Sequence, residues 1–99
     1  MTRRRVVVTG LGCISPVGNN VQDSWNNLLA GQSGIDHITS FDASTLACRF
    51  AGEVRGFNIQ DYITDKEARH MDRFIHFGLA AAMQAVKDSG LPIGDDLTE

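Results

Sequence analysis

Residues 73–89 constrain the fold more than any other stretch, because their pattern predicts a helix that is apolar around most of its circumference. Asp72 is placed to cap this helix, and Gly90 with Pro92 beyond it is placed to end it. Gly78 and the three alanines that follow shortly after would let another backbone come close. A helix that is apolar on nearly all sides is buried inside a larger body. Its apolar positions are Phe74, Ile75, Phe77, Leu79, Ala80, Ala81, Ala82, Met83, Ala85 and Val86.

A second buried element is predicted near the N-terminus, where Val6, Val7 and Val8 form a continuous β-branched run. Such a run is typical of a strand covered on both faces in an α/β sheet, so we expect a central strand over residues 4–9. Gly10 and Gly12 then begin a turn. A central strand needs neighbours on both sides, and the chain contains few other strand patterns. We therefore expect residues 1–99 to be the beginning of a longer α/β chain.

The remaining elements are predicted from caps and spacing. Asn19 or Asn20 caps a helix with apolar residues at i, i+4, i+7 and i+8, ended by Gly31. Residues 32–47 are predicted to be an irregular connection with at most one short helical turn, and residues 49–55 alternate like a strand with one wet face. Thr64 and Glu67 match a capping box, which predicts a short helix. The apolar positions of the first helix are Val21, Trp25, Leu28 and Leu29.

The composition limits the class of partner and the compartment. The 99 residues carry a net charge of −3, which gives no global attraction to nucleic acid or to an anionic membrane. The arginines at positions 3–5 are not followed by the unbroken apolar stretch of a secretory signal, and no stretch approaches the ~20 apolar residues of a membrane span. Two widely spaced cysteines favour a reducing cytoplasm.

Three features of the sequence could belong either to a chemical site or to the structure alone. The glycine turn lacks the third glycine of a dinucleotide fingerprint and the lysine of a phosphate-binding loop, so a structural turn is favoured and no cofactor is predicted. Nothing in the sequence places His37, His70 or His76 beside Cys13 or Cys48, so no catalytic nucleophile is predicted. On one continuous helix His70 and His76 would point in different directions, and no metal site is predicted.

The most informative cluster is basic. Lys66, Arg69, His70 and Arg73 are spaced at i, i+3, i+4 and i+7, so a single helix would align them in one stripe. We call residues 66–73 the basic segment. A solvated helix face is one interpretation of this pattern. The other is a docking surface for an acidic partner, because complementary charge steers association and sets orientation.

Several stretches together resemble a known family. "RRRVVVTGLGCISPVGNNV", "LLAGQSGI", "FDAS", "FAGEV", "KEARHMDRF" and "AVKDSGL" are similar, in order, to the N-terminal segment of the β-ketoacyl-[acyl-carrier-protein] synthases, closest to the type II enzymes of bacterial fatty acid synthesis. The resemblance implies an α/β, thiolase-like fold with αβαβα layers. Residues 1–99 would be the N-terminal part of the first half of a protein that is usually a cytoplasmic homodimer.

The resemblance also implies a reaction. An acyl chain is transferred from the carrier protein to a cysteine, malonyl-carrier protein loses CO₂, and the resulting carbanion attacks the thioester to give a 3-oxoacyl product. The family's catalytic cysteine and histidines would lie beyond residue 99, so residues 1–99 alone are expected to be inactive. In the family's docking motif Lys66 and Arg69 match two basic positions, and His70 stands where lysine is frequent. Arg73 is added from its spacing alone.

Two other functions stay open from the sequence. One is a ketosynthase-like subunit without the nucleophile, such as the chain-length factor of a polyketide system. The other is an unrelated small α/β binding domain that is complete at 99 residues. A cysteine in a strand-to-helix turn and two later histidines, all after Glu99, would distinguish the enzyme from both.

Overall fold

The computed structural model describes residues 3–92. In chain order the elements are helix α1 (Val21–Leu29), strands β1 (Ile35–His37) and β2 (Phe50–Gly52), a 3₁₀ turn (Ile59–Asp61), helix α2 (Asp65–Ala68) and helix α3 (Arg73–Ser89). Residues 1–2 and 93–99, which belong to the predicted N-terminal unit 1–99, lie outside the described residues. None of the described helices is long and apolar enough to span a membrane.

The predicted helices form, with side-chain caps at Asn20 and Thr64, whereas the side chain of Asp72, the predicted cap of α3, makes no capping hydrogen bond. The Asn20 side chain accepts a hydrogen bond from the backbone N–H of Asp23 at 2.7 Å, which satisfies one of the unpaired donors at the start of α1. Helix α3 covers the predicted residues 73–89 and ends at Gly90, whose φ of 68° is the left-handed conformation that glycine adopts without strain. The start of α1 and the end of α3 are therefore each determined by a residue at that boundary.

The only sheet within residues 3–92 is a short hairpin. Strands β1 and β2 pair antiparallel with Ile35 opposite Gly52 and His37 opposite Phe50. The prediction of an irregular connection over residues 32–47 is wrong at β1, because three residues without alternation become a strand only through a partner 13 or more positions away. The strand predicted over 49–55 is shortened to Phe50–Gly52.

The central strand predicted over residues 4–9 is not formed. Residues 3–14 belong to no helix or strand, and no other residue of the described chain forms a β-ladder with them. Val6 is 93% exposed and Val8 79% exposed. The physical reason is that a strand consists of hydrogen bonds to its neighbour, and an apolar β-branched run cannot supply that neighbour.

The glycine turn packs directly against α3. A side chain at Gly12 would place its Cβ 1.8 Å from the carbonyl oxygen of Ala81, and one at Gly10 would lie 2.2 Å from that of Ala85. The close backbone approach predicted for α3 therefore occurs at Ala81 and Ala85, while Gly78 has open space around it. Leu11 adds a hydrogen bond from its N–H to Asp88 at 2.9 Å, which fixes the turn to the same helix.

The buried centre of the described chain is small. Ala80, at 0% exposure, lies on α3, and Ala68 closes α2. Ser24 is buried against the glycine turn, where its hydroxyl lies 2.9 Å from that of Ser15. Most large apolar side chains are exposed, and helix α3 contacts the glycine turn, Tyr62 and Ala68.

Candidate functional site

The four residues of the predicted docking site lie on two helices and the turn between them. Lys66 is in α2, Arg69 is the C-cap of α2, His70 follows in the turn, and Arg73 is the first residue of α3. All four are exposed. The basic segment is thus an exposed corner of the chain.

A single helical stripe does not exist, and that part of the interpretation is wrong. Helix α2 ends at Ala68, and Asp72, whose backbone is extended with φ −73° and ψ 162°, is the N-cap of α3. The spacing i to i+7 assumes one unbroken helix and fails because the helix is interrupted between Ala68 and Arg73. The basic residues therefore share a helix–turn–helix corner, and whether a partner docks there stays a prediction.

Local hydrogen bonds fold the short helix that carries Lys66. The hydroxyl of Thr64 accepts from the backbone N–H of Glu67 at 3.3 Å, which is the Thr half of the predicted capping box. Gln60, in the preceding 3₁₀ turn, donates its side-chain amide to the carboxylate of Asp65. These two contacts fix where α2 begins.

The acidic residues of the same stretch lie where helix ends favour them. Asp65 and Glu67 are in the first turn of α2, and Asp72 is the N-cap of α3. The partial positive charge of a helix N-terminus stabilises carboxylates at these positions. The positions of these three carboxylates are therefore favourable for the helix ends and do not weaken the exposure of the basic side chains.

Arg73 differs from the other three basic residues in its surroundings. Its guanidinium lies 5.2 Å from the centroid of the Phe77 ring, in cation–π range. Phe77 in turn contacts Phe57 with ring centroids 5.3 Å apart. The one salt bridge within residues 3–92 joins Arg55 to Glu53, so the described structure pairs none of the four basic side chains with a carboxylate.

The other candidate residues have structural partners. The thiol of Cys13 lies 3.7 Å from the Ser24 hydroxyl, and the thiol of Cys48 donates to the carbonyl of Phe50 at 3.5 Å. His76 Nε2 lies 3.0 Å from the carbonyl oxygen of Ala68. Within residues 3–92 no three His, Cys, Asp or Glu residues are grouped as a metal site would need.

The glycine turn also makes its contacts with other parts of the chain. Ser15 and Gly18 exchange two backbone hydrogen bonds around Pro16 and Val17, at 2.8 and 3.2 Å. Proline at this place is typical of a tight turn. With α3 filling the space beside Gly10 and Gly12, the turn has a packing role in this structure.

Sequence reasoning missed Gln84, which links three segments. Its Oε1 accepts from the backbone N–H of Cys13 at 3.0 Å, and its Nε2 donates to the carbonyl of Asn19 and to the hydroxyl of Tyr62, both at 2.8 Å. All three bonds agree on one orientation of the amide. The available signal was a lone amide among the alanines of α3.

Comparison with known proteins shows which proteins this chain is similar to. The family model described as "Beta-ketoacyl synthase, N-terminal domain" matches residues 3–98. A 3-oxoacyl-[acyl-carrier-protein] synthase 2 of Vibrio cholerae serotype O1 is 54% identical over 96 residues, which are 97% of this chain and 23% of that protein. The protein of the same name from Synechocystis is 50% identical over 95 residues, 96% of this chain and again 23% of the relative.

A solved structure supports the same grouping. The ishigamide ketosynthase/chain length factor superposes with a TM-score of 0.83 at 40% identity, covering 92% of this chain and 23% of that one. With the family match, this confirms the predicted α/β, thiolase-like fold class. The chain spans about a quarter of the length of these relatives.

Proposed function

The chain belongs to the β-ketoacyl synthase family, and on this basis we propose that it is the N-terminal part of a 3-oxoacyl-[acyl-carrier-protein] synthase of fatty acid synthesis. The observation that carries the proposal is the 54% identity over nearly the whole chain to a relative of that name. The full-length protein would be a cytoplasmic homodimer.

The proposed enzyme condenses an acyl group with malonyl-carrier protein. A cysteine thiolate takes the acyl group and releases the carrier thiol. Malonyl-carrier protein then loses CO₂, and the carbanion left behind attacks the acyl thioester, which returns the cysteine and forms a 3-oxoacyl chain two carbons longer. We assign none of these steps to Cys13, Cys48, His37, His70 or His76. The catalytic residues would lie outside residues 1–99.

The part we assign to this chain is carrier docking through the basic segment. Lys66, Arg69 and His70 are exposed at one corner, and the described structure gives them no carboxylate partner. Charges at an exposed rim accelerate encounter and fix orientation without a large permanent interface. Such a surface suits a carrier that must deliver a thioester, leave and be replaced in every cycle.

Charge reversal tests this proposal. Lys66→Glu or Arg69→Glu in the full-length protein should raise the apparent KM for the acyl-carrier protein about tenfold at low salt, because attraction becomes repulsion. The salt dependence of kcat/KM should become flatter. The measurement is steady-state condensation at several ionic strengths.

Lys87→Glu is the matched control, since it changes the charge equally. Lys87 lies 14 residues after Arg73 on α3, about 21 Å along the helix axis at the usual rise per residue. Its KM for the carrier should stay near that of the wild type. Equal kinetics for all three variants at low salt would remove the basic segment from carrier recognition.

A ketosynthase-like chain-length factor is the second candidate, because the superposed structure is titled as a ketosynthase/chain length factor. Such a subunit would shape the product without forming an acyl-enzyme. Mass spectrometry after incubation of the full-length protein with acyl-carrier protein separates the two. An acylated cysteine outside residues 1–99 supports the synthase, and the absence of any acylated cysteine supports the factor.

A further inference from the structure

Helix α2 is too short to hold the basic segment in place by itself. It has four residues, and its intrahelical bonds are few. Isolated helices shorter than about 12 residues are marginal in water because nucleation is unfavourable. The orientation of Lys66 and Arg69 must therefore come from contacts with the rest of the protein.

The first of these contacts lies just before α2. Tyr62, two residues ahead of the Thr64 cap, accepts a hydrogen bond from Gln84 Nε2 at 2.8 Å. Gln84 is itself hydrogen-bonded to the backbone of Cys13 and Asn19, so Tyr62 binds a side chain whose position is already fixed. The Tyr62 ring also packs against Phe57, with centroids 5.9 Å apart.

The second contact closes the end of α2. The carbonyl of Ala68, the last residue of the helix, faces His76 Nε2 at 3.0 Å. A carbonyl oxygen only accepts, so Nε2 carries the hydrogen and donates it. The same carbonyl also accepts from the backbone N–H of Met71 at 3.2 Å, so the imidazole supplies its second hydrogen bond. His76 therefore links the last residue of α2 directly to α3.

His76 and Gln84 lie on the same helix, eight residues and about 12 Å apart along its axis. We propose that they are positioning residues for carrier docking: α3 holds the start of α2 through Gln84 and its end through His76. The inference rests on the proposed function of the basic segment. Neither residue needs to touch the carrier.

The test compares two substrates in the full-length synthase, the acyl-carrier protein and a small thioester of the same acyl group. Gln84→Met, Tyr62→Phe and His76→Phe should each raise KM for the carrier about three- to tenfold, the loss expected for one or two hydrogen bonds. Their kcat/KM for the small thioester should stay within about twofold, because docking does not limit its use.

Two further variants control for general effects. His76→Gln restores an amide donor toward Ala68 and should recover much of the carrier KM, whereas His76→Phe should not. Gln22→Met removes an exposed amide on α1 and should leave both substrates unaffected. An equal loss for both substrates, or no loss for either, would overturn the proposal. Tyr62→Phe removes one hydroxyl and keeps the test valid if Gln84→Met does not fold.

A structural measurement, which needs no enzyme activity, tests this proposal separately from the proposed function on which it rests. Amide hydrogen exchange should become faster at Arg69, His70 and Met71 in the His76→Phe variant, because their backbone bonds depend on the end of α2. Unchanged exchange there would show that His76 does not hold α2. A wild-type protein that ignores the acyl carrier would instead overturn the proposed function.

Discussion

One carboxylate, that of Glu53, organises the loop that follows β1. It accepts hydrogen bonds from the backbone N–H and hydroxyl groups of both Thr39 and Ser40, and Arg55 lies 3.4 Å away. The Ser40 hydroxyl, followed by the Thr39 backbone, lowers the pKa of Glu53 from 4.5 to about 2. These donors stabilise the charged form, so they bind the ionised Glu53 more strongly than the protonated one.

This lowered pKa predicts a pH dependence of stability. The folded state should gain stability as the pH rises from about 2 to about 4.5, keep it above that range, and lose it again as the pH falls through the folded pKa. In Glu53→Gln this contribution disappears at every pH. The measurement is the unfolding midpoint of both proteins between pH 2 and 7, and parallel curves would contradict the assignment.

At the scale of elements, the contact between the glycine turn and α3 decides the architecture. The carbonyl oxygens of Ala81 and Ala85 occupy the positions that side chains at Gly12 and Gly10 would need. Both sides of the contact are backbone, which cannot move aside like the tip of a long side chain. Only glycine fits this approach.

Matched alanine substitutions at two glycines test the contact. Gly12→Ala should destabilise the full-length protein by about 1–3 kcal/mol, the usual cost of overpacking. Gly78→Ala should cost less than Gly12→Ala, because no described residue lies within 4 Å of a Cβ placed at Gly78. Denaturant unfolding measures both. Equal effects of the two substitutions would show that the turn does not lie against α3 as described.

The whole molecule has too much exposed apolar surface and too open a shape for a compact unit. Its radius of gyration is 17.5 Å, against about 13 Å for a compact domain of this length. Phe74 is 70% exposed and Trp25 56%. So many exposed large apolar side chains are unusual for a protein that works alone and indicate surface covered by further protein. This supports the proposal that the chain works as part of a larger protein.

Residues 1–99 expressed alone should therefore behave as an incomplete unit. We expect strong binding of a hydrophobic dye, self-association in sedimentation, and no condensation of malonyl-carrier protein. The full-length protein is the control and should bind little dye. A monomeric, dye-negative and cooperatively unfolding 99-residue chain would instead favour the small, self-contained binding domain. Condensing activity in that chain would overturn the placement of the catalytic residues elsewhere.

The sequence by itself determined the helices and the basic segment. Asn20, Thr64 and Gly90 act on groups within a few residues, so their effects are readable locally. The fold class also followed from the sequence, because the family resemblance extends along nearly the whole chain.

Only the tertiary structure decided which residues meet. Strand β1 exists because Phe50–Gly52 lies beside it, and residues 4–9 form no strand because nothing in residues 3–92 pairs with them. The interruption between Ala68 and Arg73 divided the basic segment between two helices. Gln84 and His76 gained their roles from partners distant in sequence, Cys13 and Ala68 among them. Pairing of distant backbone and side-chain groups depends on the packed arrangement of the chain, and periodicity does not record it.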